Sequence, residues 1–135
     1  MATPTFYNTE IARVAGALWG SKLGASSMSA VMAAVNANGM AKVVNDAYNA
    51  SFGAVDNATV AATVVANLGI TGSAATPAIN AVKATLDGAP SGGKGAALVA
   101  LLNTYAGMTG DATYGAFATD FNSKVASALT YSQTA

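Results

Sequence analysis

Histidine and cysteine are both absent from this chain of 135 residues. The sequence therefore lacks the side chains that most often serve as general bases, thiol nucleophiles and transition-metal ligands. The carboxylates occur singly along the sequence, with no paired or clustered arrangement. Since an enzyme would have to rely on isolated carboxylates or serines, we expect this protein not to be an enzyme.

Charge is also scarce. Charged residues make up 9% of the chain, as six basic and six acidic residues, whereas about 25% is usual. Nucleic-acid binding needs clustered lysine and arginine to neutralise phosphates, and the sequence has no such cluster. The polar surface must come from threonine, serine, asparagine and glycine. This composition indicates an extracellular or surface-exposed protein that packs against copies of itself, and it argues against a nucleic-acid partner.

Long apolar runs are missing as well. The longest uncharged stretch, residues 57–82, contains Asn67, Gly69 and Pro77, so it does not provide the roughly 20 mainly apolar residues of a membrane helix. Residues 1–20 have no basic start, and Glu10 and Arg13 interrupt their apolar character. We therefore expect neither a membrane span nor an N-terminal signal peptide.

What is abundant is alanine, the strongest helix former, with 33 residues by count along the sequence. Apolar residues recur at helical spacing, and no segment alternates apolar and polar residues long enough for a strand. The pattern predicts an all-α protein, a compact bundle of six or seven short helices. Residues 1–130 are expected to form a single helical domain, and residues 131–135 a terminal tail or the start of a linker.

Capping residues and glycines mark the expected helix ends. Ser26 or Ser27 is expected to cap the second helix, and Asp111 the last one. The central stretch, residues 43–70, reads as two helices joined by a turn at Asp56 and Asn57. The expected helices span about residues 5–20, 27–38, 40–52, 58–68, 76–87, 96–106 and 112–129.

Two motif matches lie in one glycine-rich run. Residues 88–94 match the first seven positions of a P-loop, but the eighth is Gly95, and the run is expected to follow a helix where a P-loop follows a strand. Residues 91–94 match S-x-x-K without its supporting elements. We therefore interpret the run as a flexible interhelical linker and reject nucleotide binding.

Aromatic side chains are candidates for stacking on sugar rings. Four tyrosines lie on apolar stripes and are expected in the core with their hydroxyls at its edge: Tyr7, Tyr48, Tyr105 and Tyr114. Trp19 lies one position off the first stripe, so we expect it to be partly exposed at a helix end.

Four segments resemble a known helical module: Trp19–Ser26, Asn45–Gly53, Asn57–Ile70 and Ala112–Val125. They are similar to the N-terminal module of Gram-negative S-layer proteins and related beta-strand-repeat proteins exported by type I secretion. The resemblance implies a surface-layer subunit whose helical domain attaches the lattice to lipopolysaccharide, with Ca²⁺ supporting assembly. The residues themselves indicate no cofactor and no metal site, so calcium follows from the resemblance alone.

The functional expectation is therefore a structural, non-catalytic domain at the bacterial cell surface. It would assemble with copies of itself and anchor to lipopolysaccharide, and the shortage of lysine and arginine favours neutral O-polysaccharide over lipid-A phosphates. The alternative is a monomeric adhesin module of a secreted protein that binds a carbohydrate or another partner. The candidate contact residues are Trp19, Lys22, Asn45, Asn49 and Lys94.

Overall fold

Seven α-helices make up most of the described chain. The computed structural model describes residues 5–20, 24–90 and 92–134, and only the backbone at residues 5–8, 25, 133 and 134. The helices are α1 (Thr5–Val14), α2 (Ala25–Asn38), α3 (Met40–Phe52), α4 (Asn57–Asn67), α5 (Ala75–Asp87), α6 (Lys94–Ala106) and α7 (Gly115–Thr134). No strand occurs in these ranges, so the predicted all-α bundle is confirmed.

The first predicted helix changes its winding before it ends. After α1 the chain continues as a wider π-helical segment, Ala15–Trp19, and stops at Gly20. Gly20 has the left-handed φ of 61° that a residue without a Cβ adopts readily. Its N–H donates to the Gly16 carbonyl at 3.1 Å. The sequence predicted a continuous helix here and gave no indication of the π-helical turn. This turn determines the position of Trp19, its last residue.

Two predicted boundaries are wrong. Gly24, with extended backbone, is the N-cap of α2, and its carbonyl accepts from the Met28 N–H at 2.9 Å. Ser26 and Ser27 therefore lie inside the first turn and do not cap the helix. At the other end α7 continues to Thr134, and Ser132 is buried with its hydroxyl donating to the Leu129 carbonyl at 2.7 Å. Residues 131–135 were expected to form a terminal tail or the start of a linker, but 131–134 are the last turn of α7.

The core consists of the predicted apolar stripes of all seven helices. Tyr48 and Tyr105 are buried, as expected, and Tyr114 is half-buried; the side chain of Tyr7 lies outside the described part. The Tyr48 hydroxyl, expected at the edge of the core, is itself buried. The largest fully buried side chains are Tyr48, Leu18, Leu86, Leu98, Leu102, Val60, Val64 and Val65. Leucine and valine dominate this set, whereas many of the alanines are exposed on the helices, for example Ala30, Ala62 and Ala81.

Pairs of helices pack closely. The most extensive contact joins α4 to α5, followed by α3 with α6, and α6 also touches α1, α5 and α7. A Cβ on Gly95 of α6 would lie 2.6 Å from the Val44 carbonyl oxygen of α3, so only glycine permits this approach. Among the described helices, none combines the length and apolar character needed to cross a membrane.

Two aspartates precede helices, one as a helix cap and one in a turn. The Asp56 carboxylate accepts from the Thr59 N–H at 3.1 Å and from its hydroxyl at 2.7 Å, which caps α4 and lowers the pKa of Asp56. Asp111 accepts from the N–H groups of Thr113 and Tyr114 in the turn before α7. Asp111 therefore caps this turn, whereas α7 itself begins only at Gly115, three residues later than the predicted start at 112. The glycine-rich run joins α5 to α6, which confirms that it follows a helix.

Candidate functional site

Two large apolar side chains are exposed in the described part of the chain, Trp19 and Tyr131. Trp19 is the last residue of the π-helical segment, and 40% of its surface is exposed, as the sequence predicted. Such π-helical turns are frequent at functional sites. The indole N–H donates to the Ser51 hydroxyl of α3 at 3.3 Å, so the ring is held against α3 while part of it faces solvent.

Three aromatic rings connect this surface to the core. The Trp19 and Phe52 rings lie 5.8 Å apart, centre to centre, and are tilted by 42°. Phe52 in turn lies 5.5 Å from Tyr48, which has no exposed surface. Tilted pairs at this spacing are favourable aromatic contacts. A ring supported in this way is a rigid platform, which loses little conformational freedom when a ligand stacks on it.

Two asparagines of α3 lie beside the start of α6. Asn49 is exposed, and a Cβ on Gly92 would lie 4.0 Å from its amide nitrogen. Asn45 has a structural role, since its side-chain oxygen accepts from the Ala96 N–H at 2.7 Å. No side chain of its own caps α6, so Asn45 supplies a cap from a different helix.

Lys94 begins α6 and is half-buried. Its charge contributes to lowering the pKa of Asp87 at the end of α5, after the larger effects of hydrogen bonds from Asn57 and Lys83. Asn45 and Asn49 are thus residues of α3, and Trp19 contacts α3 through Ser51. Lys94 is the first residue of α6, which packs against α3. Lys22, the fifth predicted contact, lies outside the described residues.

A polar cleft lies next to the same turn. It has a volume of about 620 Å³, and Gly16 and Gly20 belong to its lining together with residues of α4 and α7. Its polar lining residues are Asn67, Ser123, Lys124 and Ser127. The Asn67 amide donates to the Ala17 carbonyl at 2.8 Å, and this bond fixes one wall of the cleft against the π-helical segment.

The carboxylates are occupied by contacts within the fold. Three form i,i+4 ion pairs with lysines on their own helices: Asp46 with Lys42, Asp87 with Lys83 and Asp120 with Lys124. Asp56 caps α4, Asp111 caps the turn before α7, and Glu10 accepts from the Asn103 amide at 3.1 Å. Within the described ranges no three acidic side chains come close enough together to hold a metal ion.

Sequence reasoning missed the polar cleft and the Ser51 contact. The one signal available was the i,i+4 spacing of small residues, Gly16 with Gly20 and Ser123 with Ser127, which places each pair on one helix face. That spacing does not say that the two faces meet, because their contact depends on how the π-helical segment and α7 pack.

No family model, curated protein or solved structure matches this chain. Function must therefore be inferred from the surfaces described above.

Proposed function

We propose that this protein is a structural, non-catalytic domain of the bacterial cell surface, of S-layer type. It assembles with copies of itself and anchors to lipopolysaccharide through the neutral O-polysaccharide. The Trp19 platform, defined here as Trp19 with Ser51 and Phe52, is the proposed anchoring surface. The exposed indole held by Ser51 and Phe52 is the observation that carries the proposal.

The chemistry of this surface suits a neutral sugar. The flat indole face offers an apolar surface to the C–H groups of a sugar ring, while the Ser51 hydroxyl offers a hydrogen bond to one of its hydroxyls. Among the described residues, the charged side chains nearest in sequence to Ser51 and Phe52 are Asp56, which caps α4, and Asp46, which pairs with Lys42 at 2.9 Å. A neutral polysaccharide therefore fits this surface better than a phosphate group, which clustered cations would recognise.

Self-assembly is supported by the low charge of the surface. The formal net charge is zero, and three of the lysines are neutralised by aspartates on their own helices. Copies that approach one another therefore meet little electrostatic repulsion. The many exposed alanine, serine and threonine side chains allow close approach between helices. Calcium, implied by the resemblance to S-layer proteins, belongs to this proposal as an aid to assembly.

Replacing the indole tests the anchoring surface. Trp19→Ala is expected to weaken binding of purified O-polysaccharide about tenfold, because a stacked aromatic contact contributes about 1.5 kcal/mol. Trp19→Phe is expected to retain part of the affinity. Isothermal titration calorimetry measures both, with circular dichroism confirming that each variant is folded.

Tyr131→Ala is the matched control, since Tyr131 is 39% exposed, close to the 40% of Trp19. Its affinity for O-polysaccharide should stay within about twofold of the parent chain, because ordinary surface changes alter binding or stability by about 0.5 kcal/mol or less. Equal affinities of Trp19→Ala and the parent chain would contradict the proposed anchoring surface.

A second candidate function is a monomeric adhesin module of a secreted protein. It is favoured by the fact that every group of the Trp19 platform comes from one chain, so sugar binding at this surface does not require a second copy. The two candidates differ in whether the chain assembles.

A further inference from the structure

A second cleft, far more apolar, opens between α4, α5 and α6. It has a volume of about 430 Å³ and is lined by fourteen residues, none of which belongs to the Trp19 platform. Val65, Leu68 and Val82 are buried and form its floor. We call it the α4–α6 cleft.

The cleft is open because alanines stand where larger side chains would fill it. Ala81 on α5 and Ala100 on α6 both line the cleft and are exposed. Each presents only a methyl group to the space between the two helices. A leucine at either position would add three carbons to a wall of the cleft, and protein interiors normally close such space.

Nothing in the lining is suited to a charged ligand. All fourteen lining residues are uncharged. The hydroxyls of Thr85 and Thr104 donate to carbonyls of their own helices, at 3.0 and 3.1 Å. The Tyr105 hydroxyl donates to the Leu68 carbonyl at 3.5 Å. Of the four hydroxyl-bearing residues in the lining, only Tyr114 is left as a donor, so an anion would lose its hydration for at most one compensating hydrogen bond.

The size of the cleft favours a small molecule over a protein. Small-molecule sites have volumes of about 300–1,000 Å³ and mainly apolar linings. A stable protein interface instead uses about 20–30 residues on each side, which is well above the fourteen found here. A protein helix laid across this cleft would therefore need additional contacts elsewhere.

We infer that the α4–α6 cleft binds a small, uncharged, hydrocarbon-like molecule that is free in solution. The ligand is held by burial of its apolar surface against Val65, Leu68 and Val82. This site is separate from the polysaccharide surface proposed above and does not depend on it.

The experiment uses n-decanol as the probe and the methyl signals of Val65, Leu68 and Val82 as the readout in ¹H–¹³C NMR spectra. Decanol is expected to shift these signals in a saturable way. Ala81→Leu and Ala100→Leu, on opposite walls, should each weaken binding at least about tenfold, because the added side chain occupies the space of the ligand. Ala62→Leu is the matched control, since Ala62 is exposed on α4 but does not line the cleft.

Decanoate, which has a similar chain but a negative charge, should bind at least about tenfold more weakly than decanol. Equal binding of the two, or decanol binding that survives both filling variants, would overturn the inference. The inference would also be overturned if the protein dimerised, or adsorbed to phosphatidylcholine vesicles, and if Ala81→Leu or Ala100→Leu abolished this behaviour while Ala62→Leu did not. Those results would assign the cleft to a second copy or to a membrane lipid.

Discussion

At the scale of single residues, two buried tyrosines differ in what their hydroxyls contact. The hydroxyl of Tyr48 has no hydrogen-bond partner within the described part of the chain, whereas that of Tyr105 donates to the Leu68 carbonyl. Burial raises the pKa of both, because the charged phenolate is poorly solvated inside a protein. For Tyr105 the nearby charge of Asp120 adds to this effect, and its pKa rises to about 12.

The raised pKa predicts a loss of stability in alkaline solution. In the unfolded chain Tyr105 ionises near its ordinary value of 10.0, while in the folded chain it stays neutral to about 12. The unfolded chain therefore releases the proton first as the pH rises, which favours unfolding. The contribution of neutral Tyr105 is complete below pH 10.0 and is lost as the pH rises towards 12. Urea unfolding at successive pH values across this window measures the loss.

Tyr105→Phe should reduce the steepness of this alkaline decline, because phenylalanine has no proton to release. Tyr131→Phe, at an exposed position, should leave the decline unchanged. Parallel declines of the parent chain and Tyr105→Phe would show that Tyr105 does not titrate as described.

At the scale of elements, the sequence predicted helices better than their contacts. The bounds of α3 agree with the prediction because Gly39 and Gly53 mark both ends. The π-helical segment after α1 was not predictable, since no residue type in Ala15–Trp19 demands it. The cap that Asn45 provides to α6 was equally unreadable, because donor and acceptor are 51 positions apart and meet only when α3 and α6 pack.

The approach of α3 to α6 gives a second prediction. Gly95→Ala should destabilise the protein by about 1–3 kcal/mol, the usual cost of overpacking, because its Cβ would lie 2.6 Å from the Val44 carbonyl oxygen. Thermal unfolding followed by circular dichroism measures the loss.

Gly110→Ala serves as the matched control. A Cβ there meets no atom within 4 Å, and the φ of Gly110 is not positive, so its effect should stay within about 0.5 kcal/mol. Equal melting temperatures for Gly95→Ala and the parent chain would mean that the two helices are farther apart than the structure has them.

At the scale of the whole molecule, the amino-acid composition indicated a surface of low charge but not the positions of the clefts on that surface. Scarce charge and abundant alanine, serine and threonine are visible in the sequence, and so was the exposure of Trp19. The polar cleft and the α4–α6 cleft were not, because each is formed by residues from three or more separate segments. Such spaces depend on helix packing, which the periodicity of a single helix does not specify.

We propose above all that this domain functions by binding copies of itself and surface polysaccharide. The most direct test of this proposal is sedimentation velocity of the purified chain over a rising concentration series, with and without millimolar calcium. The proposed S-layer function predicts species larger than a monomer that grow with concentration in the presence of calcium. A chain that stays monomeric at every concentration under both conditions would contradict the claim of self-assembly and favour the adhesin module.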